Sequence, residues 1–341
     1  VATGVLGRGA TIAGVGVYVP EHVVTNDDLS LTLDTSDEWI HQRTGIKRRR
    51  VAARDECAST LAVPAAVAAI AEAGLRPSDI GLVIVASISP DQIMPATAAR
   101  VAHAVGADRA GAVDLLAGCS GFIYALSLAT GVVTAGLQRH VLVIGAEAIS
   151  RILDWSDRST AVLFGDAAGA VVVSPTWGPN RILGVDVGND GSGADLLQIP
   201  AGGSRLPASR ETVARGLHFL TMNGREVYRF ATRVVPKSAQ CVLSSCGVDI
   251  SLVDLVVPHQ ANTRIIQAVA RQLGVEWERV FTNLEEYGNT SCASIPLCLQ
   301  QARAQGLLVD GAMILLLGFG AGLSWGSCLL RWGRPIEERT A

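Results

Sequence analysis

The sequence predicts an α/β protein made of two similar halves, and three observations carry that expectation. Short apolar runs alternate with helical segments along most of the chain, the pattern of strands covered on both faces. Matching features recur at a near-constant interval: positions 82 and 255, 119 and 289, and 145 and 318 stand 173, 170 and 173 residues apart, as an internal duplication would leave them. The 341 residues exceed the usual size of one core, and 49% hydrophobic against 17% charged residues is the balance of a well-buried enzyme.

In the first half, strands are expected over Gly81–Ser87, Gly111–Leu115, Arg139–Ala146 and Ala167–Ser174. Helices are expected at Ala96–Val105 and at the small-residue run Gly121–Ala135. All four strands, Gly111–Leu115 included, read as buried. The second half repeats the plan with strands at Leu252–Val257 and Gly311–Gly318 and helices at Thr263–Leu273 and Ala293–Gln305. Ser, Pro and Gly cluster at Ser174–Asn180, which sets the expected halves at 1–177 and 178–341. Two segments stand outside the pattern. Gly188–His218 is rich in Gly, Ser, Arg and Pro and too long for a plain connection, so it reads as a functional loop or covering flap. Asn26–Arg54 is polar and arginine-rich and reads as an insertion lying over the core.

Composition excludes several classes. A formal net charge of −3 gives no global basic field for nucleic acid. Apolar stretches such as Leu82–Ala86, Val141–Ile144 and Met313–Leu317 fall far short of the roughly 20 residues that span a membrane. No basic region followed by an apolar core opens the sequence, so a signal peptide is not expected and the cytoplasm is. Seven cysteines without regular spacing argue against a zinc site or disulfide framework and for a reducing compartment.

Three polar side chains follow apolar runs. Cys119 lies in Ala117-Gly118-Cys119-Ser120-Gly121, between a strand and a helix. Gly118 and Gly121 would permit a sharp turn, and the helix N-terminus would lower the thiol pKa. Such a cysteine is either a nucleophile or a small buried side chain filling space. His259, in Val257-Pro258-His259-Gln260-Ala261-Asn262, stands at a strand's carboxyl end, where parallel sheets carry active-site residues; alone it could equally be structural. Asn289, in Tyr287-Gly288-Asn289-Thr290-Ser291, occupies the position duplicated from Cys119 and would also serve as an ordinary N-cap. Side-by-side halves would bring all three strand ends to one pocket. There His259 and Asn289, as neutral donors, could stabilise an enolate as carbon dioxide leaves a malonyl unit while Cys119 holds an acyl group. Backbone N–H groups of Cys119 and of the glycine-rich Gly318–Gly322 turn are suited to an oxyanion.

These stretches, with Gly14-Val15-Gly16-Val17-Tyr18-Val19-Pro20, Asp37-Glu38-Trp39-Ile40, Arg43-Thr44-Gly45-Ile46, Phe164-Gly165-Asp166-Ala167-Ala168-Gly169-Ala170 and the Gly318–Ser327 turn, resemble the β-ketoacyl-acyl-carrier-protein synthase III family over almost the whole chain. The resemblance implies a thiolase-like five-layered α-β-α-β-α fold from two duplicated halves, and a homodimer. It implies that acyl-CoA or another acyl thioester loads Cys119, and that malonyl-acyl-carrier protein then decarboxylates and attacks the acyl-enzyme. His259 and Asn289 take the decarboxylation roles, the N–H groups of Cys119 and Ala321 form the oxyanion hole, and Phe319 is the aromatic beside the cysteine. No metal or cofactor is implied; acyl-CoA and the phosphopantetheinyl carrier protein are substrates. Trp39, Arg43 and Arg158 match positions that hold the nucleotide end of CoA by stacking and guanidinium contacts. Asn262 matches a residue beside the pantetheine tunnel. Arg229, Arg264 and Arg271 match basic positions facing the acidic carrier protein, where an ordinary solvated helix face is the alternative.

Two positions depart from the family pattern. Met94 replaces a phenylalanine that reaches across the dimer interface to close the acyl pocket, so the pocket is expected to be deeper or reshaped. Ala117-Gly118 precedes the cysteine where a second alanine is commoner. These leave room for a natural-product relative that joins two carrier-bound β-ketoacyl chains, forming a pyrone, or passes acyl groups to a non-malonyl acceptor. A degradative thiolase would need a second cysteine in the C-terminal glycine turn, and Phe319–Gly322 has none. A non-catalytic partner would have lost its nucleophile.

Overall fold

The computed structural model describes residues 7–338. The first half contributes β1 (Gly9–Tyr18), α1 (Asp37–Thr44), α2 (Ala58–Glu72), β2 (Leu82–Ala86), α3 (Thr97–Val105), β3 (Gly111–Leu115), α4 (Gly121–Thr134), β4 (Val141–Glu147) and β5 (Ala167–Thr176). The second contributes β6 (Ile182–Asn189), α5 (Gly224–Cys246), β7 (Leu255–Pro258), α6 (Thr263–Leu273), α7 (Ser294–Ala304), β8 (Met313–Gly320) and β9 (Ser324–Arg331).

Two mixed sheets result, in the orders β1-β5-β4-β2-β3 and β7-β8-β9-β6. Each has a parallel part, β4-β2-β3 and β7-β8, continued by antiparallel strands. The second sheet repeats the first strand for strand except at β3, whose counterpart shrinks to a single bridge between Val256 and Val280. The buried helices α4 and α7 lie between the sheets, with α2 and α3 outside the first and α5 and α6 outside the second. The architecture is thus the five-layered α-β-α-β-α fold.

Small residues set the layer spacing. A β-carbon on Gly14 would fall 2.3 Å from the Ala69 carbonyl oxygen, and one on Gly16 2.1 Å from that of Ala65, so β1 lies directly on the alanine-rich α2. Gly145 does the same beneath the 3-10 turn Ser291–Ala293 that leads into α7, where a β-carbon would meet the Cys292 carbonyl oxygen at 2.1 Å. Removing side chains at these crossings lets helix backbone touch sheet backbone.

Helix α6 spans the expected residues: Asn262 caps it through Arg264 N, and Gly274, at φ 67°, ends it in the left-handed region. Strand β3 corrects an expectation. It is an edge strand whose residues are exposed or half-buried, because no strand follows it in the sheet. Val113 in the strand and Leu116 just after it are exposed apolar residues, and Ile93 and Met94 are 85% and 83% exposed.

Segment 188–218 finishes β6 and then forms a 3-10 turn at Gly191–Leu196, a two-residue strand Leu197–Gln198 and a short helix Arg210–Ala214. Segment 26–54 holds a short helix, α1 and the strand Arg48–Arg50, which pairs with Val23–Thr25. The buried Arg49 ties it down, donating to the carbonyls of Val24 and Val162 and to Asn26 Oδ1. No helix among the described residues is long and apolar enough to cross a membrane.

Candidate active site

Cys119 sits in the turn between β3 and α4, one residue before the N-cap Ser120. Gly118 has φ +55°, which a side chain would resist, and its β-carbon would strike the Ala321 backbone nitrogen at 2.5 Å. Gly121 serves differently from the expectation. It is helical, and a β-carbon there would meet Cys292 Sγ at 3.0 Å, so packing rather than turning requires the glycine.

From the other half, the end of β8 meets this turn. Gly318, Phe319 and Gly320 belong to the strand, and the reversal is Ala321–Leu323, shorter than the expected glycine turn. Asp190 and Leu323 exchange backbone hydrogen bonds of 2.7 and 2.9 Å, fixing the reversal to the covering segment. A β-carbon on Gly118 would fall 2.5 Å from the Ala321 nitrogen and one on Gly320 2.3 Å from the Cys119 nitrogen, so the two turns, one from each half, pack backbone to backbone. Among the described residues no turn or loop carbonyl accepts either N–H.

His259 follows β7, its own N–H bonded to the Leu317 carbonyl at 2.7 Å. Its Nδ1 lies 2.8 Å from Ser294 Oγ at the start of α7, which leaves Nε2 as the ring nitrogen free to serve the cavity. Phe319 meets the imidazole edge-on, centroids 5.5 Å apart. Burial pushes the His259 pKa down to about 3, so the ring is neutral. Gln260 is a structural neighbour, bonded through its amide to Pro258 O, Phe281 O and Asn283 N.

Asn289 is clamped by the Leu163–Gly165 stretch: its N–H donates to Leu163 O at 2.8 Å, and Gly165 N–H donates to its carbonyl at 3.0 Å. It is not the cap of α7, whose preceding residue is Ala293. Its Oδ1 accepts the Ser291 N–H at 2.9 Å, so Nδ2 is left as a donor.

Cys119, His259, Asn289, Phe319 and Asn262 line one cavity of about 230 Å³. Cys119 also lines a second, apolar cavity of about 550 Å³, walled by Leu116, Tyr124 and, from the covering segment, Leu197 and Ile199. The thiol lines both cavities: mostly apolar walls surround each, and the smaller one also carries His259, Asn262 and Asn289. Its pKa corrects the expectation of a thiol acidified by the helix. Burial pushes it up to about 12, Glu147 pushes the same way, and Ser291 opposes them. The helix N-terminus supplies only a partial charge, and desolvation of a thiolate outweighs it.

Around the mouth, Asn262 Nδ2 donates to the Arg43 carbonyl at 3.1 Å. The guanidiniums of Arg43 and Arg158 each lie 4.7 Å from the half-buried Trp39 ring. Arg229, Arg264 and Arg271 are exposed on α5 and α6; Arg229 pairs with Glu226 at 2.8 Å and Arg264 donates to the Gln42 carbonyl at 2.9 Å. Met94 lines neither cavity of this single chain. Sequence reasoning passed over Ser291, Ser294 and the fully buried Glu147, which is held by Ser87, Ser89 and the Ile88 N–H. The one available signal was the Asn-Thr-Ser-x-x-Ser spacing after position 288.

Known proteins match this arrangement. Models of 3-oxoacyl-[acyl-carrier-protein] synthase III match residues 113–191, and models of its C-terminal part match residues 243–332. A β-ketoacyl-[acyl-carrier-protein] synthase III of Symbiobacterium thermophilum is 50% identical over 96% of this chain and 99% of its own. The crystal structure of 3-oxoacyl-[acyl-carrier-protein] synthase III from Aquifex aeolicus VF5 superimposes with a TM-score of 0.88 at 44% identity, covering 95% of this chain and all of that one. The priming β-ketosynthase of the R1128 polyketide pathway gives 0.90 at 36% identity, covering 98% and 99%. The chain belongs to the 3-oxoacyl-[acyl-carrier-protein] synthase III family of acyltransferase-type condensing enzymes.

Proposed function

We propose that this chain condenses an acyl group held on Cys119 with malonyl-acyl-carrier protein, giving a β-ketoacyl-carrier protein. The observation that carries this is the junction: one thiol lines both an apolar chamber and the cavity into which His259 and Asn289 are brought. In loading, the Cys119 sulfur bonds the carbonyl carbon of an acyl-CoA or similar thioester, the incoming C–S bond breaks, and the thiol proton leaves with the departing thiol. The acyl chain lies in the apolar chamber, and the N–H groups of Cys119 and Ala321 hold the oxyanion.

In condensation, the malonyl C–CO₂ bond breaks and its electron pair moves into the thioester enolate, stabilised by N–H donation from His259 and Asn289. The α-carbon then attacks the acyl-enzyme, the Cys119 C–S bond breaks, and a solvent proton restores the thiol. Neutral donors suit this step, because an enolate forms against them without a buried ion pair in the resting enzyme. The residues of 1–177 supply the nucleophile and those of 178–341 the two donors.

Trp39, Arg43 and Arg158 are assigned to the CoA nucleotide, a planar base inserting beside the indole. Asn262 is assigned to the pantetheine arm, and Arg229, Arg264 and Arg271 to the carrier protein. The exposed apolar edge at Ile93, Met94 and Leu116 supports a homodimer in which Met94 reaches the partner's acyl chamber. The seven unpaired cysteines support a reducing, cytoplasmic location, and the chemistry calls for no resident cofactor. The test is product analysis with acyl-CoA and malonyl-acyl-carrier protein. Release of one carbon dioxide per β-ketoacyl product is expected; turnover of the acyl donor without that product would overturn the reading.

A further inference from the structure

Ser294 Oγ lies 2.8 Å from His259 Nδ1 and 2.8 Å from the Ser291 carbonyl oxygen, and the side chain is fully buried. A hydroxyl has one proton to give, so it satisfies one of these two acceptors. If the proton goes to Ser291 O, Nδ1 must carry a hydrogen of its own and Nε2 presents a lone pair. If it goes to Nδ1, Nε2 carries the hydrogen and donates into the cavity.

The Ser291 carbonyl already accepts the Ser294 backbone N–H, so the hydroxyl can turn to the ring without orphaning a buried oxygen. The chemistry of the neighbour sets which tautomers are open to the ring. A backbone carbonyl facing Nδ1 accepts only, and would lock the ring with Nε2 bare. A carboxylate there would favour imidazolium. A hydroxyl can donate to Nδ1, and a neutral imidazole then donates from Nε2.

The backbone around Ser291 is built for this arrangement. It is the one non-glycine residue with positive φ among the described residues, at +46°. In that conformation its N–H holds Asn289 Oδ1 at 2.9 Å while its carbonyl lies against Ser294. One strained residue thus orients both amide and imidazole.

We propose that Ser294 is a positioning residue that donates to His259 Nδ1 and so holds the imidazole in the Nε2–H tautomer needed for decarboxylation. The inference rests on the condensing role assigned above to His259. The experiment labels histidine with 15N and reads the His259 tautomer in the full-length enzyme, with loading and decarboxylation rates measured separately for wild type, Ser294→Ala and Ser294→Thr. The wild-type spectrum is expected to show Nε2–H. Ser294→Ala is expected to shift the ring toward Nδ1–H and lower malonyl decarboxylation at least tenfold, with acylation of Cys119 within twofold of wild type. Ser294→Thr, which keeps the hydroxyl, is expected to restore most of the rate.

An Nδ1–H ring in the wild type would overturn the proposal. So would undiminished decarboxylation in Ser294→Ala, or equal loss of both half-reactions, which a purely structural role would give. Should Ser294→Ala not fold, the wild-type tautomer and the threonine variant decide. Decarboxylation undiminished in His259→Ala would instead remove the underlying role of the histidine.

Discussion

Gly320 lies directly against Cys119: a β-carbon at residue 320 would fall 2.3 Å from the Cys119 nitrogen and 3.0 Å from its Cα. The contact is reciprocal, since Gly118 stands equally close to the Ala321 backbone. Two glycines from separate halves therefore set the distance between the paired N–H groups on which an oxyanion would sit. Gly320→Ala is expected to displace the Cys119 backbone and slow acylation at least tenfold, about 1.4 kcal/mol of transition-state stabilisation. Pre-steady-state acylation at unchanged circular dichroism checks this; a wild-type rate would remove the oxyanion role.

The two donors should matter in one half-reaction only. His259→Ala and Asn289→Ala are expected to acylate Cys119 within about threefold of wild type, and to decarboxylate malonyl-acyl-carrier protein about 10²–10³-fold more slowly. Carbon dioxide release and intact mass, measured side by side, separate the steps. Loss of acylation alone would reverse the assigned roles.

Burial holds the His259 pKa at about 3, and the sign of its effect on stability follows. Unfolded histidine titrates near 6.5, so below that pH the unfolded chain binds a proton that the folded one excludes. Stability that is full above about pH 6.5 falls as pH drops toward 3, by up to about 1.4 kcal/mol per pH unit from this residue. Urea unfolding of wild type and His259→Gln between pH 7 and 5 isolates it. The variant is expected to lose less stability on acidification, and parallel curves would mean that the imidazole is protonated in the fold.

Both guanidiniums at the Trp39 ring lie within cation–π range. Trp39→Ala is expected to raise KM for acyl-CoA about tenfold, to leave kcat nearly unchanged, and to spare a truncated acyl-pantetheine lacking the nucleotide. Equal effects on both donors would place the tryptophan in the scaffold instead.

Legibility in the sequence followed how local each determinant is. Helix α6 was readable to the residue because Asn262 and Gly274 are local start and stop signals. The duplication was readable because three pairs of landmarks, 82 and 255, 119 and 289, and 145 and 318, kept their spacing. Strands β1 and β6 and helices α2 and α5 carried no pattern-based reading: α2 is an alanine-rich run whose face shows only against Gly14 and Gly16, and α5 contains Pro236. Whether β3 was central or an edge depended on strand order, which no local pattern encodes.

Within the site, Cys119, His259 and Asn289 stood out because strand-end positions and rare side chains coincide there. Ser294 and Ser291 did not, since a serine's role depends on which atom of a distant ring faces it. The thiol pKa was misjudged for a similar reason. The helix N-terminus is visible in sequence, whereas the burial that outweighs it is made by both halves closing over the sulfur.

Intact mass after mixing the enzyme with acyl-CoA or acyl-carrier-protein donors of graded length tests whether Cys119 carries the acyl group. A single mass increase equal to the acyl group is expected, located at Cys119, absent in Cys119→Ala and discharged by malonyl-acyl-carrier protein. Product formation by Cys119→Ala at the wild-type rate would contradict it.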